Sequence, residues 1–320
     1  MISILCPGQG SQTPGMLAPW LALPGSADLL ARFCEAAQLD LTALGTTASA
    51  EEIKDTAVAQ PLIVATSLIA FNALIQRLEP RTAGGTGYAP SWASASAGHS
   101  VGEYAAAVVA GVLADVDAIS LVATRGRAMA HAAAQTPTGM SAVIGGDPDQ
   151  VRTALAALDL VPANVNGGGQ VVAAGALTAL DELKAHPPVK ARVIPLPVAG
   201  AFHTTYMAAA VADVNEVAQG LDTHDPELMF VTNADGSQVR DGSQVLAGMV
   251  AQIARPVRWD LCQSTLVDRG VDASIELAPA GVLTGLARRC MPGTDLVAIK
   301  SPDDLDTAAN LIHRTAEESR

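Results

Sequence analysis

A chain of 320 residues, 49% of them hydrophobic, can bury a sizeable core as one large domain with an insertion or as two domains. Its net charge is −13, from 19 Lys and Arg against 32 Asp and Glu, which argues against the basic surface that nucleic-acid binding needs. The four cysteines, Cys6, Cys34, Cys262 and Cys290, form no Cys-x-x-Cys pair, so neither a zinc site nor a disulfide framework is expected, and they read as reduced thiols of a cytosolic protein.

Met1 to Pro7 lacks the charged start of a secretory leader and reads as a first strand over 2–6. Pro7-Gly8-Gln9-Gly10-Ser11-Gln12 follows. It lacks the Gly-Lys-Ser/Thr ending of a Walker loop, and reads either as a tight strand–helix turn or as a source of backbone N–H groups for an oxyanion. Helices are expected over about 27–38 and 49–54. A third places Pro61 in its first turn and runs to about Leu78; its apolar run, Leu62 to Ile75, is too short to span a bilayer. Residues 80–92 read as a surface loop and 92–97 as a strand.

That strand feeds Gly98-His99-Ser100-Val101-Gly102. Gly-x-Ser-x-Gly is the pattern of a serine on a sharp strand-to-helix turn, where only small neighbours let the backbone close. The following 104–113 is a strong helix former, whose N-terminal N–H groups and dipole would face an oxyanion at Ser100. Another helix is expected from Asp115 to about Gln135. It carries Arg125 on an apolar face, either as a structural ion pair or as a fork for a substrate carboxylate.

The rhythm then changes. Strands at 141–144, 161–165, 170–174 and 190–194 alternate with helices at 148–158 and 177–185, the β-α-β-β-α-β order of a ferredoxin-like unit inserted over 138–197. A serine nucleophile needs a base, and His203, placed at the start of a helix after a proline-containing strand, suits one reaching across a cleft. The rest, with strands at 229–231, 273–276 and 296–299, returns to complete a large α/β domain of 1–137 and 198–320.

With these residues the chain resembles the malonyl-CoA:acyl-carrier-protein transacylases, a family that includes the acyltransferase domains of polyketide and animal-type fatty acid synthases. The resemblance covers nearly the whole chain: 7–12, Gln60-Pro61, 98–104, Arg125-Gly126, Asn166, Ala201-Phe202-His203, 252–259 and 283–286 occur in the family's order. One departure is Pro279-Ala280-Gly281, where the family commonly has Gly-Pro-Gly. The resemblance implies an α/β-hydrolase-like large domain with a parallel sheet and the ferredoxin-like insertion. It implies Ser100 as nucleophile, His203 as base, the Gln252 carbonyl as its orienter, and Gln9 and Val101 N–H groups as the oxyanion hole. Arg125 would clamp a carboxylate, His99 and Asn166 would line the acyl pocket, and Phe202 with branched Val101 would select malonyl over larger groups.

The implied reaction is malonyl transfer from malonyl-CoA to acyl carrier protein for fatty acid synthesis, in the cytoplasm, with no cofactor, metal, nucleic acid or membrane. Polyketide loading and malonate decarboxylase are variants of the same chemistry. An acidic carrier must find a local basic patch on this acidic chain, and Arg288-Arg289 and Lys190 with Arg192 are the candidates. Two rivals remain. One is a hydrolase, which would need a triad carboxylate such as Asp181; the other is a non-catalytic binding scaffold, which leaves intact Ser100, His203 and Arg125 unexplained.

Overall fold

The computed structural model describes residues 1–78 and 89–318. Among them are strands β1 (Ile2–Cys6), β2 (Ala95–Gly98), β3 (Thr138–Gly145), β4 (Val161–Gly167), β5 (Gln170–Ala176), β6 (Ala191–Pro195), β7 (Met229–Val231), β8 (Gln238–Val239), β9 (Val257–Arg258), β10 (Ala273–Glu276) and β11 (Asp295–Ala298).

The strands form two sheets. One has the order β11-β10-β1-β2-β7-β8 and is parallel except for β8, which runs antiparallel to β7. In it β1, β2 and β10 are buried at every position, which is why they read as short runs without alternation. The fold is therefore mixed α/β with a parallel sheet. The other sheet has the order β6-β3-β5-β4-β9. Helix Pro148–Ala157 joins β3 to β4 and helix Leu177–Ala185 joins β5 to β6. Val143, Leu155, Ala173, Leu180 and Leu183 give this unit a small core of its own. β9, from later in the chain, pairs in parallel with β4 and ties the unit back to the rest.

The main core lies where helices Thr56–Leu78 and Asp115–Gln135 pack against each other and against helix Gly102–Val109, every residue of which is buried. Its alanines and valines let these elements approach closely, while Leu62, Ile63, Leu121 and similar side chains each contribute about 1.5–3 kcal/mol by burial.

Several elements differ from the sequence reading. The third helix begins at Thr56, so Pro61 stands inside it rather than in its first turn. Asp55 starts it, its carboxylate accepting the Ala57 N–H at 2.8 Å. At 23 residues this helix is long and apolar enough to cross a membrane by length and composition, a length the shorter apolar run hid; 83% of its apolar window is buried inside the fold, as in a core helix. Only Glu52–Lys54 of the expected 49–54 helix forms, as one 3-10 turn. Helix Leu41–Thr46, capped by Asp40, was not anticipated. The strand expected over 92–97 is Ala95–Gly98. Most of the expected 80–92 loop lies outside the described residues.

Candidate active site

Ser100 stands between the end of β2 and the start of helix Gly102–Val109 with φ 53°, in the left-handed region. That conformation costs a non-glycine residue about 1–3 kcal/mol and persists only where its surroundings enforce it. They do so here. A Cβ at Gly98 would lie 2.0 Å from the Gly102 carbonyl carbon, and one at Gly102 would lie 2.1 Å from the Cys6 carbonyl oxygen. The His99 N–H donates to the Cys6 carbonyl at 3.0 Å, and the Ser100 N–H donates to Asn233 Oδ1 at 2.7 Å.

His203 reaches this turn from the other side. It is not at a helix start: it stands in a turn at φ 60°, ahead of the 3-10 turn Thr205–Met207 and helix Ala208–Ala218. Its Nδ1 is 2.8 Å from the Gln252 carbonyl, which can only accept, so Nδ1 carries the proton. Nε2 then presents a lone pair, and the Ser100 hydroxyl donates to it at 2.7 Å. Asp181 is exposed on helix Leu177–Ala185, and the carbonyl of Gln252 occupies the position a triad carboxylate would take. Burial, and then the Arg125 charge, push the His203 pKa down to about 3. The imidazole is therefore neutral, with its Nε2 lone pair free, across the neutral and mildly acidic range. Acylation of Ser100 should accordingly continue undiminished through pH 6.5, where an ordinary histidine titrates; a half-maximal loss at 6.5 in quenched-flow acylation would contradict the assignment.

Arg125 is fully buried. Nη1 donates to Gln60 Oε1 at 2.6 Å, and Nη2 donates to Gln252 Oε1 at 3.0 Å and to Ser100 Oγ at 3.3 Å. The guanidinium lies 5.7 Å from the Tyr104 ring centroid, and Nε has no partner. Among the described residues no carboxylate bonds to it. Its direct contacts are all neutral, Glu103 acting on it only through space from behind Gln252, so a buried cation is left without a contacting anion, and one could sit beside Ser100.

The turn 7–10 packs on the elbow: a Cβ at Gly8 would lie 2.6 Å from the His99 carbonyl oxygen. Among the described residues the N–H groups of Gln9 and Val101 have no hydrogen-bond partner. His99 Nε2 meets Asn166 Oδ1 at 2.8 Å, and its ring stands edge-on to Trp259 with centroids 5.6 Å apart. Asn166, near the end of β4, is thus where the small sheet touches the elbow. Phe202 is buried next to His203 in the chain.

The four basic candidates are exposed, and the segments that carry them border one turn. Arg289, with Arg288 in the last turn of helix Val282–Cys290, packs on Gly168, whose Cβ would lie 2.9 Å from its Nε. The Gly169 carbonyl accepts from Gly145 N–H at 2.8 Å, and a Cβ on Gly145 would meet the Lys190 carbonyl at 2.8 Å. Arg192 lies on β6, in register with Ile144. The two pairs therefore flank one turn, 167–169, directly after Asn166.

Sequence reasoning missed the layer behind the serine. Glu103 and Asn233, both buried, and the side-chain amide of Gln252 form a hydrogen-bonded group there. Gln60 and Glu103 lay inside the quoted motifs without a role. Asn233 follows β7 at its C-terminal end, where open parallel sheets place their ligand sites, and that position was its signal.

Residues 4–298 match the acyl transferase domain family. The chain is 53% identical over 311 residues to the malonyl CoA-acyl carrier protein transacylase of Mycobacterium bovis, covering 97% of this chain and 100% of that protein. The crystal structure of MCAT from Mycobacterium tuberculosis superposes with a TM-score of 0.90 at 52% identity, covering 96% of this chain and 99% of the other. A malonyl-transacylase in complex with its type II PKS acyl-carrier protein superposes at 0.86 with 31% identity, covering 97% and 99%.

Proposed function

The chain belongs to the acyl transferase family, among its malonyl CoA-acyl carrier protein transacylases, and from that premise we propose that it moves a malonyl group from malonyl-CoA to the phosphopantetheine thiol of an acyl carrier protein through an ester on Ser100. The observation that carries the reading is the fully buried Arg125 guanidinium, 3.3 Å from Ser100 Oγ and, among the described residues, in direct contact with no carboxylate. It provides a place for the free carboxylate that distinguishes malonyl from acetyl, next to the atom that attacks the thioester.

The steps follow from the donors and acceptors. Ser100 Oγ attacks the thioester carbonyl carbon while its proton passes to His203 Nε2. The Gln252 carbonyl holds the imidazolium through Nδ1–H, and the free N–H groups of Gln9 and Val101 hold the oxyanion. The C–S bond breaks, and the proton on His203 goes to the departing coenzyme A thiolate. In the second half-reaction the carrier thiol gives its proton to His203 and attacks the malonyl ester; Ser100 leaves as alkoxide and recovers the proton. Every charge that develops is met by a protein group, so the sequence of steps calls for no metal or redox cofactor.

His99 and Asn166 line the acyl pocket in this reading, and Phe202 and Val101 disfavour an α-methyl group. The large domain, 1–137 and 198–320, is α/β-hydrolase-like and the 138–197 unit ferredoxin-like, its β3–β6 arranged with the fourth strand beside the first. The enzyme works in the cytoplasm and supplies fatty acid synthesis.

The acidic carrier docks at Arg288, Arg289, Lys190 and Arg192, over the turn that leads to Asn166. With a phosphopantetheinylated carrier present, transfer should outpace hydrolysis of the acyl-enzyme; hydrolysis as the main outcome would make the chain a thioesterase. Arg288→Glu with Arg289→Glu should raise the carrier KM roughly three- to tenfold, as expected for two exposed ion pairs, and spare the malonyl-CoA KM. Unchanged carrier kinetics would remove these arginines from the docking surface.

A further inference from the structure

Glu103 follows the elbow directly and is 1% exposed. Among the described residues, no hydrogen bond joins it to Ser100 Oγ, His203 or Arg125, so the steps above give it no task. Its two oxygens serve two different arms. Oε1 accepts the backbone N–H of Asn233 at 2.6 Å, and Asn233 in turn grips the elbow: its Oδ1 accepts from the Ser100 N–H at 2.7 Å, and its Nδ2 donates to the Gly98 carbonyl at 2.8 Å. Oε2 accepts from Gln252 Nε2 at 2.5 Å, the shortest contact of a nitrogen that also donates to Asn233 Oδ1 at 3.1 Å and to the Ser100 carbonyl at 3.2 Å. The other end of the same amide, Gln252 Oε1, accepts from Arg125 Nη2 at 3.0 Å.

A side-chain amide has one donor end and one acceptor end. Which end faces Arg125 is decided by what faces the opposite end. Glu103 Oε2 stands as an acceptor against Gln252, so it holds the Gln252 NH2 inward and leaves its oxygen for the guanidinium. Burial raises the Glu103 pKa to about 8 even with the Asn233 N–H, the Arg125 charge and the Gln252 amide pulling it down, so it is the placement of its two oxygens, each facing a donor, that orients the amide. Turned over, Gln252 would present N–H to N–H at Arg125, and the fork would lose an acceptor that holds it beside Ser100.

We propose that Glu103 is a positioning residue for substrate choice: by fixing the Gln252 amide with its oxygen toward Arg125, it aims the guanidinium at the place the substrate carboxylate takes. This rests on the reading of Arg125 as the malonyl clamp.

Glu103→Gln separates the two arms. Its oxygen can still accept from Asn233, so the elbow is kept; its NH2 then faces Gln252 Nε2, donor against donor, which removes the shortest hold on that amide and pushes it from its place against Arg125. Ser100 acylation by malonyl-CoA and by acetyl-CoA is measured for the wild-type protein, Glu103→Gln, Gln252→Met and Arg125→Ala, with melting curves for each. In Glu103→Gln the malonyl-to-acetyl preference should fall about tenfold, chiefly through the malonyl-CoA KM, while acetyl acylation stays within about threefold and melting stays cooperative. Gln252→Met removes the relay and leaves the backbone carbonyl on His203, and it should lower the preference in the same direction. Equal losses with both substrates in Glu103→Gln would make Glu103 a support of the elbow alone and overturn the proposal, as would an unchanged preference. If Glu103→Gln does not fold, a retained preference in Gln252→Met overturns the proposal by itself. The two readings fail differently: an unchanged preference in Arg125→Ala removes the clamp, whereas a preference lost there and kept in Glu103→Gln removes only the role of Glu103.

Discussion

His203→Ala should acylate Ser100 about 10²–10⁴-fold more slowly than the wild-type protein, a barrier increase of about 2.7–5.5 kcal/mol. The Ser100 hydroxyl now donates to His203 Nε2, and the alanine variant offers it no acceptor on that side. The contact from Arg125 cannot substitute, because a guanidinium only donates. Nor does the substitution strand a charge: the imidazole is neutral, and the Gln252 carbonyl that loses it still accepts from the Arg255 N–H at 3.2 Å. The fold should therefore persist, and a cooperative melt would show it. The residual rate comes from the oxyanion donors and from substrate positioning. Mass-resolved acylation in rapid-quench samples gives the rate directly, and a loss below tenfold would mean that Ser100 and His203 are not the reacting pair.

Arg125→Ala should remove the preference for malonyl over acetyl. A hydrogen bond to a charged group is worth about 1.5–3 kcal/mol, so the clamp favours malonyl by roughly 10- to 100-fold or more. With acetyl bound, the wild-type arginine is left buried and unpaired, which penalises the wrong substrate a second time. The alanine variant loses both effects at once: malonyl transfer falls, acetyl transfer rises relative to it, and Ser100 stays reactive. Arg125→Lys should not restore the preference, since an ammonium lacks the planar fork that Gln60 and Gln252 hold in place. The ratio of the two transfers is the readout. If it does not move, Arg125 serves the fold and the carboxylate is bound elsewhere.

What the sequence displayed was local. Gly98 and Gly102 announce the elbow because their missing side chains are needed within one turn, and the structure fills both places with backbone. Arg125 stood out because a charge on an apolar helix face needs a reason, and its surroundings give one. The order of strands and helices over 138–195 was equally legible, since each of those elements carries its own pattern. Hidden were the features that depend on distant partners. Asn233 meets Ser100 across 133 positions, and Gln252 meets Glu103 across 149. No period or spacing encodes such a pairing. β9, two residues long, is a strand only because β4 lies beside it. The start of the third helix was misplaced for the opposite reason: Pro61 is a strong local signal for a first turn, and the packing of Thr56 and Ala57 against Gly126 extends the helix ahead of it.

The central claim is that Ser100 carries a malonyl ester because Arg125 selects the carboxylate. It is tested most directly by offering the protein malonyl-, methylmalonyl- and acetyl-CoA together and reading the intact mass, with the modified peptide then sequenced. The account predicts a single malonyl adduct on Ser100 that disappears in Ser100→Ala. An adduct that survives in Ser100→Ala, or a wild-type adduct that is mainly acetyl or methylmalonyl, would contradict it.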